Sequence, residues 1–259
     1  MDPIAFRLGP LTVHWYGVLI VCGFVAGLWL ASRRCLRDGL APEAVADGGV
    51  WILVGAIVGA RIFHVVMYWE TDFARRPVWE IFAIWHGGLV YYGGLLGGAL
   101  ATVLYARQRN VPLWKLADAF APSIALGQFF GRIGCFLQGC CYGRPTTLAC
   151  GVRFPEGTTP HAGAVHPTQL YEAALNLALF GFLAWQYRRK RFAGETFACY
   201  LVGYAVLRFC VEFFRGDYEG RYLGWATPGQ VTSMVVLAAG LVLWWRRSGR
   251  STAAGGAVE

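Results

Sequence analysis

The sequence predicts an all-α polytopic membrane protein, with seven transmembrane helices and a small periplasmic head between helices four and five. Hydrophobic residues make up 56% of the 259 residues and charged residues only 15%, whereas a typical soluble domain carries about 25% charge. The chain also contains 11 Trp and 12 Tyr, the residue types that concentrate at membrane–water interfaces. Short basic clusters follow alternate apolar runs, which is typical of membrane topology.

Seven apolar runs are each long enough to cross about 30 Å of hydrocarbon. They cover approximately residues 14–32, 48–69, 88–106, 117–138, 168–187, 195–214 and 227–245. The first run is too long for the core of a cleavable signal, and no basic n-region precedes it. We therefore expect a single membrane domain over residues 1–259, ending in a disordered Gly/Ala-rich tail at about 248–259.

Basic residues predict the orientation of the spans. Thirteen of the 23 Lys and Arg residues follow runs one, three, five and seven. Because short loops rich in Lys and Arg remain in the cytoplasm, we expect a periplasmic N-terminus and a cytoplasmic C-terminus. The same dispersal leaves no single basic face, so nucleic acid is not an expected partner despite the net charge of +8.

Two segments outside the runs have a predicted form. Residues 1–13 contain two prolines and are expected to form a short interfacial segment. The loop at about 139–167 contains Pro145, Pro155 and Pro160 together with several glycines, which favours turns and short strands over helix. This loop is the predicted head.

Ionisable residues inside or at the ends of the runs are costly in a bilayer and indicate either a site or an internal ion pair. They are Arg61, His64, Arg132, Glu172, Arg208, Glu212 and Arg215. Arg208 and Glu212 are four residues apart and share a helix face, which favours a mutual ion pair. Arg132 and Arg215 have no evident carboxylate of their own. An external lipid phosphate is the favoured partner for both, since guanidinium forks match phosphate oxygens.

Glycines recur at small-xxx-small spacing in runs two and three. Gly55 and Gly59 are expected to permit close packing of two helices. For Gly93 and Gly94, in the stretch HGGLVYYGGLLGG at 86–98, two interpretations stay open. One is close packing, and the other is exposure of backbone N–H groups to an anion at the start of a helix.

Five motifs occur in order along the chain: HWYG at 14–17, paired glycines at 87–98, GRIGCFLQGCCYGR at 131–144, HPTQLYE at 166–172 and VEFFR at 211–215. Their order and spacing resemble the prolipoprotein diacylglyceryl transferase family from about residue 10 to residue 245. The resemblance implies an enzyme of the bacterial cytoplasmic (inner) membrane that acts in lipoprotein biosynthesis. It would transfer the sn-1,2-diacylglyceryl group of phosphatidylglycerol to the lipobox cysteine thiol of a preprolipoprotein and release glycerol phosphate. The resemblance implies neither a cofactor nor a metal.

The resemblance also assigns roles to individual residues. Arg132 matches the family's signature arginine and is expected to hold the lipid phosphate. Arg215 matches a second essential arginine and is expected to stabilise the leaving group, unless the two roles are exchanged. Tyr16 and Gly143 match further motif positions, and His14 is expected to help line the site.

The motif HPTQLYE adds partners for these arginines. His166 is expected to have a structural role. Gln169 and Glu172 are candidates for contacting the two arginines from behind. Thr168 and Gln169 are expected either to cap the fifth helix or to form hydrogen bonds at its entry.

Tyr92 is the first departure from the family pattern, because it occupies the place of a histidine proposed as general base. A tyrosine is a poor base at neutral pH. His86 is one alternative base, although on a helix it would not share a face with Tyr92. The other alternative is that Tyr92 orients the substrate thiol, whose own ionisation the arginines assist.

Cysteines are the second departure. Cys135 replaces a family asparagine and is a candidate for contacting the substrate. For Cys140, Cys141 and Cys150, the leading interpretation is a disulfide from one of the first two to Cys150 in an oxidising periplasm. Unpaired packing stays open. A metal site is disfavoured because the spacing lacks the paired C-x-x-C ligands of a zinc knuckle.

Other functions remain open from the sequence. A catalytically inactive relative, or a lipid-binding or transport membrane protein, would share the buried arginines and the glycine breaks. A membrane thiol–disulfide oxidoreductase would use the clustered cysteines but would leave the arginines without a task.

Overall fold

The computed structural model describes residues 3–9, 11–155, 163–216 and 226–255. Seven long helices lie in these ranges: α1 (Trp15–Arg34), α2 (Pro42–Met67), α3 (Tyr91–Gln108), α4 (Leu113–Gln138), α5 (Thr168–Tyr187), α6 (Glu195–Glu212) and α7 (Pro228–Gly255). Short helical turns cover Cys35–Asp38, Trp69–Phe73, Val78–Phe82 and Ile84–His86. Each long helix coincides with one of the predicted apolar runs.

Four of these helices, α1, α2, α4 and α7, are long and apolar enough to cross a membrane. Helix α1 shows why lipid is the surrounding medium. Gly23, Gly27 and Ala31 form its buried face, whereas Val21 and Val25 on another face are 61% and 59% exposed. A helix that is apolar on its exposed face as well as its buried face is adapted to a bilayer.

The segment predicted to be interfacial forms a hairpin. Strands β1 (Ile4–Leu8) and β2 (Leu11–His14) pair antiparallel, with Leu8 opposite Leu11. Gly9 has φ of 59° in the turn, a conformation that glycine adopts without steric cost.

Helix α7 continues to Gly255, past the start of the tail predicted at about 248–259. Residues 256–259 lie outside the described residues, as do Pro160 of the head and most of the segment between the sixth and seventh apolar runs.

The head has the predicted character in its described part. Residues 139–155 and 163–167 contain no helix, and their backbone forms isolated antiparallel bridges. Val165 bridges to both Pro145 and Val152. Turns with short paired stretches are therefore confirmed for these residues.

Backbone contacts divide the chain into two compact units. The first comprises Met1–Ala31 and Ala117–Glu259, and the second comprises Ser32–Leu116. In the first unit, α6 lies against α5 and α7. In the second unit, α2 lies against α3.

Glycines produce the close approach of α2 and α3. A Cβ atom added to Gly59 would collide with the carbonyl oxygen of Gly93, and one added to Gly97 would collide with that of Gly55. The predicted packing role of Gly55 and Gly59 is confirmed. Gly93 also faces the Phe63 side chain, and Gly94 lies in ordinary contact with α2 at Ala60 Cβ, 3.5 Å from an added Cβ. The structure thus uses both glycines in helix packing.

Arg61 of α2 forms hydrogen bonds to the turns that follow this helix. Its Nη2 donates to the Glu80 carbonyl at 2.6 Å, its Nη1 to the Gly87 carbonyl at 2.7 Å, and its Nε to the Ile81 carbonyl at 2.8 Å. The side chain is buried. These carbonyls meet the cost of burying the guanidinium, so Arg61 has a structural role.

Asp118 of α4 organises the start of α6. Its side chain is fully buried and accepts hydrogen bonds from the backbone N–H groups of Gly194 and Phe197 at 2.8 and 2.9 Å. Lys190 Nζ lies 3.0 Å from the same carboxylate. The carboxylate therefore satisfies orphan N–H groups at the N-terminus of α6 and complements the helix dipole there.

We expect Asp118→Asn to destabilise the protein by about 2–3 kcal/mol, because a neutral amide leaves Lys190 without its buried counter-charge. The measurement is thermal unfolding of the detergent-solubilised chain. The matched control is Asp47→Asn, a change at an exposed position of α2. Equal melting temperatures for the two variants would contradict this role of Asp118.

Candidate active site

An ion-pair network joins α4, α5 and the end of α6. Arg132 Nη2 lies 2.9 Å from Glu172 Oε1. The second oxygen of Glu172 lies 3.4 Å from Arg208 Nη1. Arg208 Nη2 lies 2.8 Å from Glu212 Oε2, and Arg215 Nε lies 4.0 Å from that oxygen. Five charged side chains thus form one connected network.

The ion-pair network tests several predictions made from the sequence. The ion pair between Arg208 and Glu212 is confirmed, and Glu172 is a partner of the arginines as expected. The expectation that Arg132 and Arg215 lack a carboxylate is wrong, because Glu172 and Glu212 supply one to each. The ion pair of Arg132 joins two helices, so local spacing along one helix does not identify it.

Arg132 is the most accessible arginine of the network. Its side chain is 21% exposed, against 12% for Arg208 and 7% for Arg215. Glu172 is shared between Arg132 and Arg208, so one carboxylate faces two guanidinium groups. Arg132 therefore combines partial exposure with incomplete local neutralisation, which are the conditions for binding an anion.

Backbone pairing fixes the position of Arg215. Gly143 forms an antiparallel bridge with Arg215, and the Arg144 N–H donates to the Phe214 carbonyl at 2.8 Å. Arg144 Nε donates to the Arg215 carbonyl at 3.0 Å. A Cβ atom added to Gly143 would lie 2.6 Å from the Phe214 carbonyl oxygen, so only glycine permits this approach. These backbone contacts hold the end of the segment at 131–144 against the residues that follow α6.

The start of α5 fixes the loop that follows α4. The Thr168 hydroxyl donates to the Cys141 carbonyl at 2.8 Å, and Gln169 Nε2 donates to the Cys140 carbonyl at 2.7 Å. Both side chains are 1% exposed. Of the two predicted alternatives for Thr168 and Gln169, hydrogen bonding at the entry of α5 is therefore confirmed. The two buried side chains make the backbone at Cys140 and Cys141 a rigid part of the site.

His166 has contacts that suit the structural role expected for it. Its Nδ1 lies 3.1 Å from the Tyr171 hydroxyl, and its ring packs edge-on against Phe214. Its backbone carbonyl accepts from the Gly143 N–H at 2.9 Å.

Three cysteine thiols meet beside the arginines. The Sγ atoms of Cys135, Cys140 and Cys141 all lie within 4.8 Å of one another. All eight cysteines are in the described ranges and all are free, so the predicted disulfide to Cys150 is absent. Cys150 Sγ lies instead 3.3 Å from the Tyr171 hydroxyl.

The ending of α4 explains why these thiols meet. Gly139 has φ of 76°, the Cys140 N–H donates to the Cys135 carbonyl at 3.1 Å, and the Gly139 N–H donates to the Phe136 carbonyl at 3.2 Å. This is a Schellman motif, in which the side chains at the positions of Cys135 and Cys140 commonly touch. Cys141 then has φ of 62°, a left-handed conformation that is uncommon outside glycine.

The environment of Cys141 favours its thiolate. The pKa of the Cys141 thiol lies below its ordinary value, because Cys135 and Cys140 donate hydrogen bonds to it and because the guanidinium groups of Arg215 and Arg132 are near. The cysteine cluster and the arginine network are therefore electrostatically coupled.

Tyr16 lies beside this cluster at the start of α1. A Cβ atom added to Gly134 would lie 2.9 Å from Cδ2 of Tyr16, so the missing side chain makes room for the ring. Tyr16 is near enough to Arg132 and Cys135 to interact electrostatically. His14, the last residue of β2, is exposed and pairs with Ile4 in the hairpin.

Comparison with known proteins bears on this arrangement. A family model described as prolipoprotein diacylglyceryl transferase matches residues 3–246. The chain belongs to this family. A Nitratidesulfovibrio vulgaris protein named phosphatidylglycerol–prolipoprotein diacylglyceryl transferase is 40% identical over 256 residues, covering 96% of this chain and 95% of the relative. Proteins of the same name from Synechococcus elongatus and Rhizobium meliloti are each 40% identical, over 250 and 270 residues. They cover 93% and 98% of this chain and 85% and 94% of their own lengths.

Tyr92 belongs to the second compact unit. It lies in the first turn of α3 with its side chain 49% exposed, next to the Tyr91 ring. His86, the alternative base, pairs with Glu80 through Nδ1 and Oε1 at 2.6 Å. That carboxylate gives His86 a local partner in the turns before α3.

Sequence reasoning did not single out Arg144, the last residue of GRIGCFLQGCCYGR. Its Nε atom donates a hydrogen bond to the Arg215 carbonyl. The available signal was the glycine before it. A glycine flanked by bulky residues in a polar loop indicates a close backbone approach.

Proposed function

We propose that this chain transfers the sn-1,2-diacylglyceryl group of phosphatidylglycerol to the lipobox cysteine thiol of preprolipoproteins. The reaction forms a thioether and releases glycerol phosphate. The observation that carries the proposal is the partly exposed Arg132, set in a network with Glu172 and Arg208 at the position of the family's signature arginine. The names of the relatives supply the substrate class.

We further propose that all seven long helices span the bacterial inner membrane, with the N-terminus and the head in the periplasm and the C-terminus in the cytoplasm. Basic clusters after helices α1, α3, α5 and α7 support this orientation. Helices α5 and α6 carry buried polar groups, such as Glu172 and Glu212, into the protein interior.

In the proposed mechanism, the arginines act on the phosphate. The substrate sulfur attacks the glyceryl carbon, the bond from that carbon to the phosphate oxygen breaks, and the phosphate leaves with the electron pair. Negative charge grows on the leaving phosphate, and fixed guanidinium groups stabilise such charge best when they are preorganised. Glu172 and Glu212 hold Arg132 and Arg215 in place before the lipid arrives.

Other residues position the substrates. Tyr16 and His14 are proposed to line the site near the start of α1, and Cys135 to face the substrate beside Arg132. Gly143 acts through the backbone by fixing Arg215. Tyr92 remains the proposed orienting group or base for the thiol, and Gly93 and Gly94 hold the helix that carries it.

The test of this function is thioether formation by the purified chain. The detergent-solubilised protein is mixed with phosphatidylglycerol and a lipobox peptide, and the peptide mass is followed. We expect the peptide to gain one diacylglyceryl group, and a peptide with serine in place of the cysteine to stay unmodified. A folded protein that leaves the cysteine peptide unmodified would favour an inactive relative or a lipid-binding protein.

We expect Gly143→Ala to lower kcat/KM by about 100-fold, since an error of about 1 Å in the position of a catalytic group costs that much. The added methyl would meet the Phe214 and His166 carbonyl oxygens at 2.6 and 2.7 Å and displace Arg215. The control is Gly163→Ala, because a Cβ at Gly163 meets nothing within 4 Å. Equal rates for the two variants would show that the position of Gly143 does not matter.

A further inference from the structure

The cysteine cluster has more chemistry available than the proposed reaction uses. Cys135 lies on the last turn of α4. Cys140 and Cys141 are the two residues that follow Gly139, where the helix ends. Their sulfur atoms lie within 4.8 Å of one another. Cys140 is exposed, so the cluster is open to solutes.

The geometry suits one tetrahedral cation. Zinc binds thiolates at about 2.3 Å, which places the sulfurs of a tetrahedral site about 3.8 Å apart. The observed separations are within 4.8 Å, so small side-chain rotations close the site. The C-x-x-C spacing of a zinc knuckle is not needed here, since the Schellman motif joins thiols five residues apart and the left-handed Cys141 adds the third.

The supports of the cluster are unusually rigid. The carbonyls of Cys140 and Cys141 accept hydrogen bonds from Gln169 and Thr168, whose side chains are 1% exposed. A metal site needs ligands whose positions are fixed by surrounding groups, and these two side chains supply that restraint.

Charge also fits. Three thiolates and one divalent zinc carry a net charge of about −1. The guanidinium groups of Arg132 and Arg215 lie near Cys141 and compensate such a charge. Three protein ligands leave one position open, as in catalytic zinc sites, whereas structural zinc sites are closed by four.

We propose that Cys135, Cys140 and Cys141 bind one Zn²⁺, and that the open fourth position takes the sulfur of the substrate cysteine. This inference rests on the proposed transferase function, and it supplies the activation of the thiol for which Tyr92 is poorly suited. Zinc is redox-inactive, so no oxidant or reductant is required.

The proposed step begins with binding of the substrate thiol to zinc. The substrate thiol loses its proton to water as its sulfur binds zinc, because metal binding requires the thiolate. The zinc-bound sulfur then forms a bond to the glyceryl carbon of phosphatidylglycerol, and the bond from that carbon to the phosphate oxygen breaks. Glycerol phosphate leaves with the electron pair, and the neutral thioether, a weaker ligand than a thiolate, dissociates from the metal.

The first test is the metal content of the reduced, full-length protein after incubation with one equivalent of zinc chloride and gel filtration. We expect one zinc per chain in the unmodified protein. We expect Cys141→Ser, and Cys140→Ala at the exposed cysteine of the cluster, each to lower the metal affinity by at least about tenfold. The control Cys210→Ser, at an exposed cysteine of α6, should keep its zinc. Zinc-free protein with reduced thiols, zinc retained by both cluster variants, or a disulfide within the cluster would each overturn the proposal.

The second test reads the open position without any turnover. Cobalt replaces zinc, and the sulfur-to-cobalt charge-transfer absorption is recorded while the lipobox peptide is added in the absence of lipid. We expect the absorption to increase with the cysteine peptide and to stay constant with its serine counterpart. No change with the cysteine peptide would overturn the substrate-thiol role.

The zinc inference and the transferase proposal can fail separately. A zinc-free protein that forms the thioether would overturn the zinc site and leave the transferase intact. A protein that binds zinc and the peptide thiol but forms no thioether would contradict the transferase and leave the zinc site supported.

Discussion

Replacement of Arg132 by alanine will lower kcat/KM for thioether formation by about 100–1,000-fold, the loss that follows removal of one preorganised donor to a developing anion. Arg132→Lys will recover little of this rate, because an ammonium cannot reproduce the planar fork that binds phosphate oxygens. The fold should survive both changes, since Glu172 keeps its contact with Arg208 at 3.4 Å. The measurement is the initial rate of peptide lipidation at several phosphatidylglycerol concentrations.

The control for Arg132 is Arg153→Ala, at an exposed position of the head. It removes the same charge from the chain without touching the network, so its rate should equal that of the unmodified protein. An Arg132→Ala rate within about threefold of the control would contradict the assignment of the phosphate to Arg132.

Replacement of Glu172 by glutamine will destabilise the protein by about 3–5 kcal/mol, which is the effect of removing one partner from a buried ion pair. The carboxylate is 2% exposed and contacts two guanidinium groups, of Arg132 and Arg208. Glutamine keeps the shape of the side chain but leaves both cations without this counter-charge. The measurement is the midpoint of thermal unfolding in detergent, with the lipidation rate measured well below that midpoint.

Glu70→Gln, at an exposed position after α2, is the matched control and should unfold at the temperature of the unmodified protein. The rate gives independent information on Glu172. If Glu172 holds Arg132 in position, the folded Glu172→Gln variant should also lipidate the peptide more slowly than the control. A glutamine variant that matches the control in both stability and rate would show that the network is not needed.

The helices could be predicted well because each depends on local composition. The seven apolar runs correspond to the seven long helices of the described residues, and the small-residue spacing of Gly55 and Gly59 predicted the contact between α2 and α3. The helix ends were predicted less well. The hairpin at Ile4–His14 depends on a pairing of two short strands that apolar runs do not reveal.

The ion-pair network could be predicted only in part, since its partners come from different helices. The Arg208–Glu212 pair follows from four-residue spacing on one helix. The contact of Arg132 with Glu172 depends on tertiary packing, and so does the cap that Asp118 provides for α6. No periodicity in the sequence indicates these contacts, because the residues concerned are 40 or more positions apart.

The cysteines show a different limit of sequence reasoning. The expected disulfide was inferred from the proximity of the residues in the chain and from the redox compartment. The observed cluster depends on helix termination instead. Gly139 ends α4 in a Schellman motif, and this geometry brings Cys140 back to Cys135. A search for glycine at the end of a helix between two cysteines would have found the contact.

The most direct test of the central claim is to count both products of one reaction. Phosphatidylglycerol labelled in its headgroup glycerol is incubated with the purified chain and a lipobox peptide, and the released glycerol phosphate is compared with the thioether formed. We expect one glycerol phosphate for each thioether, with both products lost in parallel in Arg132→Ala. Thioether without glycerol phosphate, or neither product from folded protein, would contradict it.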